Sequence, residues 1–248
     1  MNTTQEHGLI AEQLSNVRKQ IAQSALQYGR NPTDITLLAV SKTKSIDQIE
    51  HAIHANQNEF GENYVQEGIE KIQYFETTPY REQLIWHFIG PLQSNKSKYI
   101  AQHFDWLHTL DNEKLAKRLG AQRPLHLPRL NVLIQVNISG EETKSGIDLD
   151  EVDTLVQCVL AETTLCFRGL MTIPAPIGDN PTDEKIQQHY LSLMKLTDKF
   201  KQLQQEYPHH QNCQIDTLSM GMSDDLSVAI RAGSTLVRVG SAIFGART

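Results

Sequence analysis

The sequence predicts a single (β/α)8 barrel behind one leading helix, and three observations carry that expectation. Eight short β-rich runs alternate with helical stretches along the 248 residues. An amphipathic segment precedes the first run, and only Gly240 to Thr248 follow the last. No Pro-, Gly- or Ser-rich linker, repeat or change of composition divides the chain, so one domain over 1–248 is expected, with an open doubly wound sheet as the structural alternative.

Ile10, Leu14, Val17, Ile21 and Ala25 recur at steps of three and four, one stripe of a helix, and Gly29 supplies its stop. The strand candidates are 36–40, 58–60, 84–89, 106–110, 130–137, 166–172, 214–220 and 236–239. Between them lie helix-start signals. Ser45 with Gln48 and Asp148 with Glu151 have capping-box spacing. Asn180-Pro181-Thr182-Asp183 offers a cap, a first-turn proline and an acid for the positive helix end.

A hydrophobic fraction of 39% with 21% charged residues fits a water-soluble globular chain, and no continuous apolar run suits a membrane span. Net charge of −6 argues against nucleic acid as the main partner, because phosphate backbones are bound by clustered Lys and Arg. Cys158, Cys166 and Cys213 lack C-x-x-C spacing and read as buried reduced thiols. The first residues lack a basic stretch followed by an apolar one, so a cytoplasmic location is expected.

Lys42 ends the run Ile35-Thr36-Leu37-Leu38-Ala39-Val40-Ser41-Lys42, which puts a primary amine at the carboxyl end of a parallel strand, where α/β folds bind ligands. Alone, such a lysine commonly marks only where a strand re-enters water. Strand alternation gives Leu38, Val40 and Lys42 one face, and Leu236, Arg238 and Gly240 another on the strand that neighbours it when a barrel closes. Arg238 among Leu236, Val237 and Val239 needs a partner, either structural or a ligand.

Two glycine-centred turns decide between these readings: Ser219-Met220-Gly221-Met222-Ser223-Asp224 and Val239-Gly240-Ser241-Ala242. Loops after the seventh and eighth strands of barrels commonly seat a phosphate on backbone N–H groups. Ser223, Gly240 and Ser241 are the expected phosphate contacts, with Asp224 and Asp225 on the outer side of the helix start. An amine, an arginine and an anion cradle together suit pyridoxal 5′-phosphate: its aldehyde for a Schiff base with Lys42, its phosphate for the turns, its ring nitrogen for Arg238. An arginine donates a hydrogen bond but keeps its proton, which suits binding or mild proton transfer better than transamination.

His51 and His54 read as surface residues, His209-His210 as a loop tip, Lys96 and Lys98 as a solvated helix start, and Lys144 as an exposed loop lysine. No metal site is expected. His87 is either a packed core histidine or a pocket wall, and the wall is the reading carried forward.

These segments resemble the pyridoxal phosphate homeostasis protein family, whose fold is similar to the barrel domain of alanine racemase. The likeness runs through Ala39-Val40-Ser41-Lys42, Phe60-Gly61-Glu62-Asn63-Tyr64-Val65-Gln66-Glu67, His87-Phe88-Ile89-Gly90-Pro91-Leu92-Gln93-Ser94-Asn95-Lys96, Arg168-Gly169-Leu170-Met171, Met220 to Asp225, and Arg238 to Arg247. The resemblance implies Lys42 as the Schiff-base lysine, Arg238 as the ring-nitrogen partner, Ser223, Gly240 and Ser241 in the phosphate loop, and Asn63 and His87 in the pocket. It also implies a cytoplasmic binder and regulator of pyridoxal phosphate that influences amino-acid and keto-acid pools without established turnover. The expected partners are the cofactor and pyridoxal-phosphate-dependent apo-enzymes, and a monomer is expected. A non-catalytic carrier is the leading reading. An amino-acid racemase of fold-type III is the alternative; it needs a second proton-transfer group, for which Tyr64 and His87 are candidates and for which the chain has no length to add a separate domain. A class I aldolase using Lys42 is a more distant third.

Overall fold

The computed structural model describes residues 3–139, 145–178 and 180–245, with side chains from residue 8. Eight parallel strands close into a barrel in chain order: β1 Thr36–Val40, β2 Glu59–Glu62, β3 Ile85–Phe88, β4 Trp106–Leu110, β5 Leu130–Gln135, β6 Leu165–Met171, β7 Cys213–Ser219 and β8 Leu236–Val239. The helices are α1 Thr3–Gln27, α2 Ile46–His54, α3 Val65–Glu76, α4 Ser97–His103, α5 Glu113–Gln122, α6 Val152–Leu160, α7 Asp183–Glu206, α8 Leu226–Ala232 and α9 Ser241–Phe244. The barrel, and not an open sheet, is therefore the architecture.

Closure is made by β1 against β8, in the register Thr36↔Leu236 to Ala39↔Val239. The leading helix covers that seam. Its stripe of Ile10, Leu14, Val17, Ile21 and Ala25 is buried, and α1 packs on α2, α8 and α9. Each of the four larger side chains, Ile10, Leu14, Val17 and Ile21, contributes about 1.5–3 kcal/mol of burial as an upper bound. Arg18 then donates to the carbonyls of Ala55 and Asn56, and Arg30 to those of Ile230 and Ser234, so the seam is bracketed from both sides.

Most apolar core lies between the strands and the helices. The barrel interior is mixed. Leu38, Ile89 and Leu236 form one small apolar group and Trp106, Leu133 and Met171 another, while His87, His108, Ser219 and Arg238 are buried polar residues.

Several local expectations need correction. β2 runs two residues past the expected 60: Gly61 packs closely on Leu38 and Ile89, where a Cβ would come within 3.1–3.3 Å of their side chains, and Glu62 pairs with the buried Lys71. β5 stops at Gln135, after which Val136 makes only an isolated bridge to Ile147. Ser45 and Gln48 form the full capping box, but at Asp148 only the return bond from its N–H to Glu151 exists, and α6 begins four residues later, at Val152. The cap of α7 is Thr182, which accepts from the Lys185 N–H; Pro181 precedes the cap instead of following it. The three cysteines are free but half-buried, and burial pushes each thiol upward. Lys144 lies outside the described residues. Among the described residues no helix is long and apolar enough to cross a membrane.

Candidate functional site

A cavity of about 400 Å³ opens at the carboxyl ends of the strands. Lys42, Arg238, Ser223, Gly240, Ser241 and Asn63 all line it, so the structure brings together six of the seven residues singled out in the sequence. Val40, Ile89, Ile173 and Met222 give it apolar walls. A larger cavity of about 590 Å³ occupies the opposite mouth, at the strand starts, and is lined by Glu59, Asp105, Trp106, Arg168 and Asp216 among others. Size does not select the site: only the smaller cavity joins an amine, a guanidinium and two helix-entry turns at the end where parallel strands present their chemistry.

Lys42 sits on a turn that the protein holds tightly from behind. Ser41 is fully buried; its hydroxyl donates to Glu62 Oε1 at 2.6 Å, and Lys44 N–H closes the turn onto Ser41 O at 3.0 Å. Lys71, on α3, donates to Ser41 O at 2.7 Å, to Glu62 Oε1 at 2.8 Å and to Glu67 Oε1 at 2.7 Å. Glu67 in turn accepts from the Thr43 N–H. Thr43 has φ of 63°, a left-handed conformation that a β-branched residue adopts only when its surroundings impose it. Burial pushes the Glu62 carboxyl above the usual carboxylate range, with Lys71 and Ser41 pulling it back.

The second half of the rim comes from the chain's other end. Gly221 has φ of 96°, and a Cβ there would lie 2.6 Å from the Ala229 Cβ, so only glycine fits the turn. At Gly240 a Cβ would meet Val40 O at 3.2 Å, which lets β8 turn into α9 close against β1. Within α9 the first N–H groups to bond inside the turn are those of Ile243 and Phe244, both to Gly240 O. Those of Ser241 and Ala242 precede them, at the positive end. Lys44 donates to the carbonyls of Phe244 and Gly245 at 3.2 Å each and so joins the first rim loop to the last.

Asp224 and Asp225 do not share an outer position. Asp224 is exposed and lines the cavity. Asp225 is buried and turned inward, accepting from the Met222 N–H at 2.7 Å and from His189 at 2.9 Å, because a carboxylate inside the protein needs donors that a solvent-facing one does not.

Arg238 is buried within the barrel, donating to Ser219 Oγ and to Thr172 O at 2.8 Å each. Burial pushes its guanidinium down to about 10, with Asp225 offsetting part of that, so it stays charged at neutral pH. Among the described residues no carboxylate is ion-paired with it.

His87 does not line the cavity, contrary to expectation. It is fully buried on β3 inside the barrel, stacked on Trp106 with ring centroids 5.1 Å apart, and bonded to His108 at 2.9 Å. Alternation along a four-residue strand fixes only the face, and the inward face of β3 leads below the rim. Tyr64 is 54% exposed and is not a lining residue either. His54 bonds Tyr80, His210 accepts from the Asn212 N–H, and Lys96 lies over the Tyr99 ring, all away from this cavity. Sequence reasoning missed Lys71, Ser219 and His108. For Lys71 a signal existed: it stands four residues after Glu67 on a helix, an ion-pair spacing.

Comparison with known proteins assigns the chain. The family described as "Alanine racemase, N-terminal domain" matches residues 14–248. The pyridoxal phosphate homeostasis protein of Escherichia coli K12 is 53% identical over 238 residues, covering 96% of this chain and 97% of that protein. Its counterpart in Haemophilus influenzae is 52% identical over the same length, covering 96% of each. PipY of Synechococcus elongatus, solved with pyridoxal phosphate bound, is 32% identical with a TM-score of 0.77, covering 95% of this chain and all of that one. An alanine racemase from Clostridium difficile shares the fold alone, with a TM-score of 0.73 at 13% identity, and this chain covers 57% of it. A seam-closed parallel barrel, an amine and an arginine on one rim cavity and near-complete likeness to these relatives converge: the chain belongs to the pyridoxal phosphate homeostasis protein family, within the alanine racemase N-terminal domain fold.

Proposed function

We propose that this chain binds pyridoxal 5′-phosphate in the rim cavity, holds it covalently through Lys42, and acts in cofactor homeostasis as a carrier or buffer. The observation that carries the reading is the meeting of Lys42, Arg238 and the Ser223, Gly240 and Ser241 turns in one cavity of about 400 Å³. That volume is within the range of small-ligand sites. The donor set fits the group: an amine for an aldehyde, a guanidinium for a ring nitrogen, and turn N–H and hydroxyl groups for a phosphate. Asn63 would complete the wall. The names of the relatives and the cofactor bound to PipY support the same reading.

When bound, the cofactor supplies an electrophilic carbonyl carbon to a primary amine and an electron-accepting ring. The chain's own residues then set what that ring can do. Lys42 must present an unprotonated Nζ, and its turn is fixed in advance by Ser41, Glu67 and Lys71. Arg238 donates at the ring nitrogen and keeps its proton, which favours retention of the ligand over carbanion chemistry. For a racemase a second proton-transfer group has to reach the ligand, and neither Tyr64 nor His87 lines the cavity.

Adding pyridoxal phosphate to the purified protein should produce a visible absorption band that Lys42→Ala abolishes. Mass spectrometry after hydride reduction should find the label on Lys42. A protein that stays colourless, or a label elsewhere, refutes the reading. Transfer of the ligand to an apo-enzyme, followed by recovery of that enzyme's activity, tests the carrier role. Exchange of amino-acid α-protons in deuterated water beyond that of free cofactor would favour the racemase instead.

A further inference from the structure

Five polar side chains form a line through the barrel interior, hydrogen-bonded from Arg238 to His87 and continued by a close contact between His87 and Glu59. Arg238 Nη1 lies 2.8 Å from Ser219 Oγ; Ser219 Oγ lies 3.2 Å from His108 Nδ1; His108 Nε2 lies 2.9 Å from His87 Nδ1; and His87 Nε2 lies 3.1 Å from Glu59 Oε2. The line begins at the rim cavity, which Arg238 lines, and ends at the cavity of the opposite mouth, which Glu59 lines. His87, His108 and Ser219 have no exposed surface, so the links among them are made without bulk water, whereas Glu59 is 29% exposed at the far mouth. The last contact falls outside hydrogen-bond geometry and leaves His87 Nε2 without a hydrogen-bond partner, but it sets the Glu59 carboxylate 3.1 Å from that nitrogen.

We propose that this line is a one-way hydrogen-bond chain in which Glu59, His87, His108 and Ser219 act as positioning residues for Arg238. Its direction follows from its two ends. A guanidinium only donates and a carboxylate only accepts. Ser219 Oγ therefore accepts from Arg238 and gives its own hydrogen to His108 Nδ1. That leaves His108 with its proton on Nε2, which it donates to His87 Nδ1, and His87 with its proton on Nε2, facing Glu59. With His87 neutral, reversing its link to His108 sets a lone pair against the Glu59 carboxylate, and reversing the link to Ser219 leaves that hydroxyl hydrogen between two donors. The stacking of His87 on Trp106, with Arg168 over the same indole at 4.4 Å, fixes the first imidazole plane. Both histidines are thus held as the neutral Nε2–H tautomer, and a carboxylate at the far mouth orients the guanidinium at the near one through neutral groups alone. The role of the chain in ligand binding rests on the pyridoxal phosphate reading above; its direction does not.

Two measurements separate these points. In the full-length protein without added ligand, long-range ¹H–¹⁵N correlation of labelled histidines should find His87 and His108 both as Nε2–H tautomers at pH 7.5, each assigned by its loss in the Asn variant. An Nδ1–H tautomer at either residue, or an imidazolium at His87 with His108 as Nδ1–H, overturns the proposal by reversing the line. Glu59→Leu should shift the tautomer balance of both histidines together, whereas a change confined to His87 also overturns it. If Glu59→Leu does not fold, the wild-type tautomers decide alone. In the second measurement Ser219→Ala should weaken pyridoxal phosphate binding about tenfold and move the visible band, since Arg238 loses one of two acceptors. Unchanged affinity and spectrum would refute the positioning role. Wild-type protein that gives no visible band would refute the cofactor reading while leaving the tautomer result standing.

Discussion

Lys71 and Arg238 are both cations buried to about the same degree, at 5% and 4% exposure, yet the protein treats them in opposite ways. Lys71 is enclosed by two carboxylates and a carbonyl behind the Lys42 turn. Arg238 is held by a hydroxyl and a carbonyl, both neutral. The lesson is that one charge is used up in building the rim and the other is left directed at the cavity. Buried ion pairs fix geometry at a desolvation cost, whereas a buried cation on neutral acceptors keeps its field for whatever enters.

The comparison breaks most visibly at Lys71. Lys71→Met strands the Glu62 carboxylate and should cost about 3–5 kcal/mol in calorimetric stability, with most of that recovered in Lys71→Met/Glu62→Leu. Burial already raises the Glu62 pKa, so the folded state takes up a proton more readily than the unfolded one; the single variant's loss should be smaller at pH 5 than at pH 8. If the double variant is no more stable than the single one, the cluster is not held by its charges.

The neutral side of the comparison has its own pH signature. Burial, with His87 and Arg238 adding to it, holds His108 well below the ordinary histidine value. The unfolded chain then binds a proton below about pH 6.5 that the folded chain refuses, so stability falls on acidification by up to about 1.4 kcal/mol per pH unit for this group. Urea unfolding of wild type and His108→Asn across pH 5–7.5 should show the steeper loss in wild type; parallel profiles would contradict it.

Smaller effects sharpen the contrast. Arg238→Met removes a charge without stranding another and should change stability by no more than about 1 kcal/mol, while abolishing the normal ligand spectrum. A loss as large as that of Lys71→Met would erase the distinction between the two cations. Glu67→Gln keeps an acceptor for Thr43 and Lys71 on a side chain 26% exposed, so its midpoint should move by less than about 1 kcal/mol.

Strand periodicity and cap spacing were enough to read the barrel, because eight β-rich runs alternate with stripes such as that of α1. The inward face shared by Val40 and Lys42, and by Arg238 and Gly240, was equally legible, since a period of two survives whatever the barrel's closure. Depth was not. His87 shares the inward parity, but whether it meets ligand or Trp106 depends on strand stagger, which no local pattern encodes. The pairing of Lys71 with Glu62 was illegible for a related reason: Glu62 ends β2, nine residues before Lys71 on α3, and their joint burial is decided by how that helix lies on the barrel, so only the four-residue spacing of Lys71 from Glu67 showed in the sequence. Asp225 shows the same limit, reading as a surface acid while packing against His189 on another helix.

The bond of Lys44 to Phe244 and Gly245 joins segments separated by about two hundred residues, and it crosses the seam where β1 meets β8. The rim cavity is thus complete only when the first and last strands have met. If Lys42 holds the ligand as proposed, a nascent chain that carries it but not yet its last strand has the amine without the pocket, and ligand uptake would report ring closure.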